Sequence, residues 1–145
     1  MLDDWLHEIN SSLKPKDAPY GVNLIVHKTN KRLPQNLEKI LKYKVPLVIT
    51  SLGANKDVID QVHSYGGVVY HDVTNALHAE KALKAGVDGL IAVTAGAGGH
   101  AGLISPFALI PQLRSLFDGP LILSGALATG ACIRYVLHCD FCSSS

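Results

Sequence analysis

Short apolar runs rich in β-branched residues recur along this chain about every 21 to 25 residues until a longer last interval that holds a glycine-rich loop, and that rhythm limits the fold more than any other feature. They begin at residues 21, 46, 67, 88 and 120, as GVNLIVH, PLVIT, GVVYHDV, DGLIAV and PLILSG. Branched side chains favour extended backbone, and runs this short suit single strands. They are continuously apolar rather than alternating, which implies burial on both faces and a parallel sheet covered by helices. Helical spacing fills the intervals. LPQNLEKILKYK places Leu33, Leu37, Ile40 and Leu41 on one face, and KDVIDQVHSYG does the same with Val58, Ile59 and Val62. NALHAEKALKAG has Asn75 as N-cap and Gly86 as C-cap, and SPFALIPQLRSLF opens with Ser105 as N-cap and Pro106 at the first helical position. Regular βα repetition without a dinucleotide fingerprint favours a (β/α)8 barrel over a doubly wound sheet. A complete barrel takes about 250 residues. The 145 residues here supply about five consecutive parallel βα units, so the expected fold is α/β, a partial (β/α)8 TIM barrel.

Composition removes several function classes. Hydrophobic residues make up 48% and charged residues 17%, which fits a folded chain and not a disordered one. Thirteen basic against twelve acidic residues leave a net charge of +1, no basis for a nucleic-acid or anionic-lipid surface. No apolar run is long enough to span a bilayer. The opening MLDDWLHEIN is acidic and amphipathic, the opposite of a secretory signal, so a cytoplasmic location is expected. Cys132, Cys139 and Cys142 cluster near the end of the sequence. Cys139 and Cys142 form a CxxC, but without a second pair or a βαβ context neither a metal site nor redox chemistry is expected.

In a parallel α/β sheet, function collects at the C-terminal ends of the strands. There lie Asn23 and His27, Thr50 and Ser51, His71 and Asp72, the stretch TAGAGGHAG, and Ser124–Gly125. Asn23 sits in an apolar strand, where a buried amide needs either backbone partners or a ligand. His71 and Asp72 either bond to adjacent loops or line a pocket, and His27 is open. His7, His63, His78 and His138 fall on predicted helices and read as surface or packing residues. TAGAGGHAG (94–102) has four glycines in nine residues and one imidazole, His100. It formally matches G-x-G-x-x-A through Gly96, Gly98 and Ala101, but the next helix starts only at Ser105–Pro106 and no acidic residue closes a second strand about 20 residues on. A P-loop is excluded because no Gly-Lys-Ser/Thr is present. Two readings remain: a glycine-rich crossover, or a loop whose bare amides let a flat cofactor or its phosphate approach. In the second, His100 is the nearby group able to exchange protons near neutral pH.

GVDGLIAVTAGAGGHAG followed by SPFALIPQLRSLFDGPLILSGALATG resembles the nitronate monooxygenase family, formerly called 2-nitropropane dioxygenases. PYGVNLIVH, VPLVITSLG and VVYHDVTNALHAEKALKAGVDG fit the same family in the same order, so the likeness covers roughly residues 19–133. The glycine–histidine loop is its most specific part and GVNL is moderately specific. The resemblance implies an FMN-dependent TIM-barrel enzyme. It makes Asn23 the amide that contacts the flavin, and Gly98 and Gly99 the loop glycines beside the isoalloxazine. It makes His100 the active-site histidine and Gly125 the glycine that helps hold the FMN phosphate. Many relatives carry a glutamine at the end of the preceding strand. Here that position is Val93, next to Thr94, and the contact is not carried over.

The family's usual N-terminal strands with their glycine-rich loop have no counterpart, nor has its last strand. After GACIR the sequence becomes YVLHCDFCSSS, unlike the family's continuation. Residues 1–133 are therefore expected to form an incomplete TIM-barrel flavin-binding domain, and 134–145 an atypical C-terminal tail. The implied reaction is oxidation of a small nitronate or nitroalkane by molecular oxygen to a carbonyl compound and nitrite. The alternatives are an NAD(P)H:quinone or enoyl reductase on the same barrel, or a non-catalytic truncated fragment. An open barrel exposes strand edges, which leaves room for homo-oligomerisation.

Overall fold

The computed structural model describes residues 1–99, 102–125 and 127–130. His100, the three cysteines, His138 and the 134–145 tail lie outside the described residues.

Strands and helices alternate: α1 (Leu2–Ser12), β1 (Gly21–Ile25), α2 (Leu33–Lys42), β2 (Leu47–Ser51), α3 (Lys56–His63), β3 (Val68–Val73), α4 (Ala76–Ala85), β4 (Gly89–Val93), α5 (Pro106–Arg114) and β5 (Leu121–Ser124). The five strands follow chain order in one sheet, β1-β2-β3-β4-β5. This is the expected partial α/β barrel, with every expected strand found. The chain divides into two compact units, one of Met1–His71 with Ala85–Val87, the other of Asp72–Lys84 with the described residues from Asp88 onward.

In the first unit β1 pairs in parallel with β2, Asn23 opposite Ile49 and Ile25 opposite Ser51, and β2 pairs with β3, Thr50 opposite His71. α2 packs on β1 and also touches α1 and α3. Leu6 from α1, Leu37 and Ile40 from α2, and Val58, Ile59 and Val62 from α3 are buried. Continuous apolarity predicted strands buried on both faces, and here the structure corrects the expectation. Burial alternates along all three strands: Leu24, Val48, Thr50, Val69 and His71 are buried, while Asn23, Ile25 and Val68 are exposed. Apolar residues also occupy the face that the described elements of this unit leave partly open, which hides the two-residue period.

Local chemistry accounts for the helix limits. The Asn55 side chain accepts from the amides of Asp57 and Val58 at the start of α3, and Asn75 accepts from His78 at the start of α4 at 2.8 Å. Gly86, at φ +96°, takes the left-handed conformation that ends α4. Ser105 sits at the N-cap of α5 as expected, but its hydroxyl makes no capping bond.

In the second unit β4 is buried at every position, so here the both-face expectation holds. It pairs in parallel with β5, Leu90 opposite Leu121 and Val93 opposite Ser124. α5 packs on β4 and buries Leu109, Ile110 and Leu113. No helix among the described residues is long and apolar enough to cross a membrane.

Candidate functional site

The glycine loop leaves the end of β4, the most deeply buried strand. Thr94, the first residue past it, is fully buried. The Ala95 amide donates to the Ile104 carbonyl at 2.9 Å, drawing the two ends of the loop together, and the Ala97 amide donates back to the Thr94 carbonyl at 3.1 Å. A side chain at Gly102 would run into the Val93 carbonyl, so the returning limb lies flat against the strand end. Gly96 and Gly99 take φ of +97° and +71°, conformations that favour glycine.

Between these anchors, among the described residues, Gly98 and Gly99 leave the main chain bare. Gly98 and Gly99 are exposed, and a Cβ built on either would meet nothing within 4 Å. Gly125, at the end of β5, is the opposite case. Its φ is +133°, and a Cβ there would lie 2.7 Å from Thr94 Oγ1 and 2.9 Å from the Ala97 nitrogen. The Thr94 amide and hydroxyl both donate to the Ser124 carbonyl, at 3.0 and 3.1 Å. Thr94, Ser124, Gly125 and the first half of the loop therefore form one packed corner. Beyond it lies open backbone at Gly98–Gly99, a shape that fits the close approach of a planar ring or a phosphate to main-chain groups.

The other residues singled out in the sequence sort differently. Asn23 is exposed rather than buried, and its Oδ1 accepts from the Ser51 hydroxyl at 3.1 Å. The strand's buried positions alternate with it, which is why an amide is tolerated in so apolar a run. Thr50 and His71 are buried together, Oγ1 to Nδ1 at 2.7 Å, and Thr50 also reaches the Tyr70 carbonyl. His71 bonds to a strand residue, Thr50 on β2, where the expected bonding partners were adjacent loops. His27 is exposed, bonds to Thr29, and with Lys28 and the 52–57 segment lines a shallow pocket of about 420 Å³. His7, His63 and His78 are exposed on their helices, as expected. Sequence reasoning passed over Thr94 as the neighbour of Val93. The available signal was a hydroxyl residue ending a strand of uniformly buried positions, where its polar atom needs a partner.

A sequence model of the family described as nitronate monooxygenase matches residues 2–139. A curated relative from Rhodococcus jostii (strain RHA1), named (3aS,4S,5R,7aS)-5-hydroxy-7a-methyl-1-oxo-octahydro-1H-indene-4-carboxyl-CoA dehydrogenase, is 25% identical over 114 residues, 79% of this chain and 32% of its own. Among solved structures, FabK from Thermotoga maritima superposes with a TM-score of 0.83 at 25% identity, covering 95% of this chain and 44% of that one. Nitroalkane oxidase from Streptomyces ansochromogenes gives a TM-score of 0.83 at 21% identity, covering 97% and 53%. At that identity the likeness speaks to fold alone. The chain spans about a third of the length of the curated relative (32%) and about half of the solved chains (44% and 53%).

Proposed function

Because the chain belongs to the nitronate monooxygenase family, we propose that it carries part of the flavin site of an oxidoreductase. The reaction proposed is FMN-dependent oxidation of nitronates or nitroalkanes by molecular oxygen to a carbonyl compound and nitrite. One observation supports this reading above the others: a bare stretch at Gly98–Gly99 opens directly from a corner so tight that Gly125 has no room for a methyl group. Loops that only turn the chain do not require both. FMN, when bound, supplies the electron transfer. The protein's share is position and proton management. Gly98 and Gly99 would let the ring lie against main chain, and Gly125 would keep the phosphate end clear of side chains. His100 would take the proton from the carbon beside the nitro group, a task suited to an imidazole because its ordinary pKa is about 6.5. For a nitronate, which already lacks that proton, it would stabilise the anion.

The dehydrogenase name of the R. jostii relative favours a second reading, a flavin-dependent reductase or dehydrogenase working with a nicotinamide. The deciding experiment adds FMN to the purified full chain and follows the flavin spectrum anaerobically with NADH or NADPH. In parallel, nitrite release is measured aerobically from a nitronate. Nitrite release without nicotinamide reduction is the expected result. Rapid bleaching by a nicotinamide with no nitrite would transfer the assignment to the second reading, and a chain that takes up no flavin would overturn both.

A further inference from the structure

We infer that Thr94 is a positioning residue whose hydroxyl sets the shape of the glycine loop, and through it the seat of the flavin. The second clause rests on the reading proposed above; the first stands on geometry alone. Thr94 is fully buried at the end of a strand with no exposed position. Its main-chain amide already satisfies the Ser124 carbonyl at 3.0 Å, so the hydroxyl bond to the same oxygen at 3.1 Å is not needed to prevent an orphaned acceptor. What the second bond does is fix where Oγ1 lies, and Oγ1 is the atom against which Gly125 closes. The same residue's carbonyl receives the Ala97 amide at 3.1 Å, the turn from which Gly98 and Gly99 project. One residue thus ties the end of β5, through its hydroxyl and amide, to the base of the loop, through its carbonyl.

The geometry distinguishes a hydroxyl from its isostere. A hydrogen-bonded oxygen rests at 3.1 Å from the Ser124 carbonyl, whereas a carbon in the same place needs about 3.3–3.6 Å. In Thr94→Val the methyl must push the Ser124–Gly125 corner away from the Thr94 end of the loop by a few tenths of an ångström. Thr94→Ser keeps the donor and loses only a methyl.

The test uses the full chain, the Val and Ser variants, and two readouts. Amide hydrogen exchange without flavin reports the corner: Ala95 and Ala97 should exchange about tenfold faster in Thr94→Val than in wild type, with Thr94→Ser close to wild type. The Leu90 amide, bonded to Pro120 on the far side of β4, checks that the fold persists. FMN titration reports the seat: affinity should fall about tenfold in Thr94→Val and about twofold or less in Thr94→Ser, the scale of one hydrogen bond. If Thr94→Val does not fold, Thr94→Ala, which removes the donor without the crowding methyl, replaces it in both arms. Equal exchange in the Val and Ser variants overturns the positioning role, whatever the flavin does. A wild-type chain that binds no FMN overturns the flavin reading and the second clause with it, while exchange still decides the first. Altered exchange with unchanged FMN affinity also removes the second clause.

Discussion

Gly98, Gly99 and Gly125 lack side chains for different reasons, and alanine separates them. At Gly98 there is open space and no left-handed backbone, so Gly98→Ala should leave stability within about 0.5 kcal/mol of wild type. On the proposed function it should still weaken FMN binding, because the methyl enters the volume assigned to the ring. At Gly99 the φ of +71° adds about 1–2 kcal/mol of strain. At Gly125 strain combines with contacts of 2.7 and 2.9 Å, and Gly125→Ala should lose about 1–3 kcal/mol or more. Urea unfolding and flavin titration on the three variants check both predictions; equal stability losses would refute the ordering. If the proposed function holds, His100→Asn should lower turnover of neutral nitroalkanes about 10²–10⁴-fold and nitronate turnover much less, read as nitrite release. Equal losses would argue against a base. The glycines and the histidine stood out in the sequence because their residue types are unusual in a row. Thr94 did not, because a threonine announces a role only once its neighbours in space are known. Asn23 was legible as a candidate, but its exposure was not, since burial of a strand residue depends on what covers the sheet.

Elements were easier to read than their environments. Helix periodicity marked α3 and α4 and an asparagine cap marked α4; the structure shows that cap at Asn75 and a second, unexpected one at Asn55. Asn55→Ala should therefore cost about 1 kcal/mol in thermal or urea unfolding of the first unit. The partly exposed faces of β1 to β3 were misjudged because Ile25, Leu47 and Ile49 keep an apolar signature without full burial. Beyond α3, Tyr65 donates its hydroxyl to the Val45 carbonyl at 2.8 Å, joining that helix's exit to the approach to β2. Burial, with a smaller contribution from Tyr20, pushes the Tyr65 phenol up to about 12. Its folded pKa lies above the unfolded value near 10, so the neutral phenol is favoured in the folded state. Its stabilisation is complete below about pH 10 and is lost as pH rises towards 12. Unfolding followed between those limits should show a slope that Tyr65→Phe reduces. An unchanged slope would place the alkaline sensitivity elsewhere.

For the molecule as a whole, repetition of βα units was enough to identify a barrel-type fold, because covering a parallel sheet admits few arrangements. The family was legible in the glycine–histidine loop and its flanks. Which reaction the site performs was not, since neighbours at 25% identity include a relative named as a dehydrogenase and FabK. Ligand linkage offers a test at this scale. If the chain binds FMN, free FMN at about 100 times its Kd should raise stability by about 2.7 kcal/mol, so the midpoint of thermal unfolding should climb with FMN concentration. A midpoint indifferent to FMN would count against the flavin site.

The Ala95–Ile104 bond described above has one more implication. It gives the glycine loop a narrow neck, seated on a strand that never reaches the surface. A base closed in this way leaves the segment past Ala97 freer to vary in length and composition, because Gly96 and Ala97 are themselves packed against Gly125. Differences in chemistry among proteins of this shape should then concentrate beyond that constriction, in a segment that can be exchanged as a cassette.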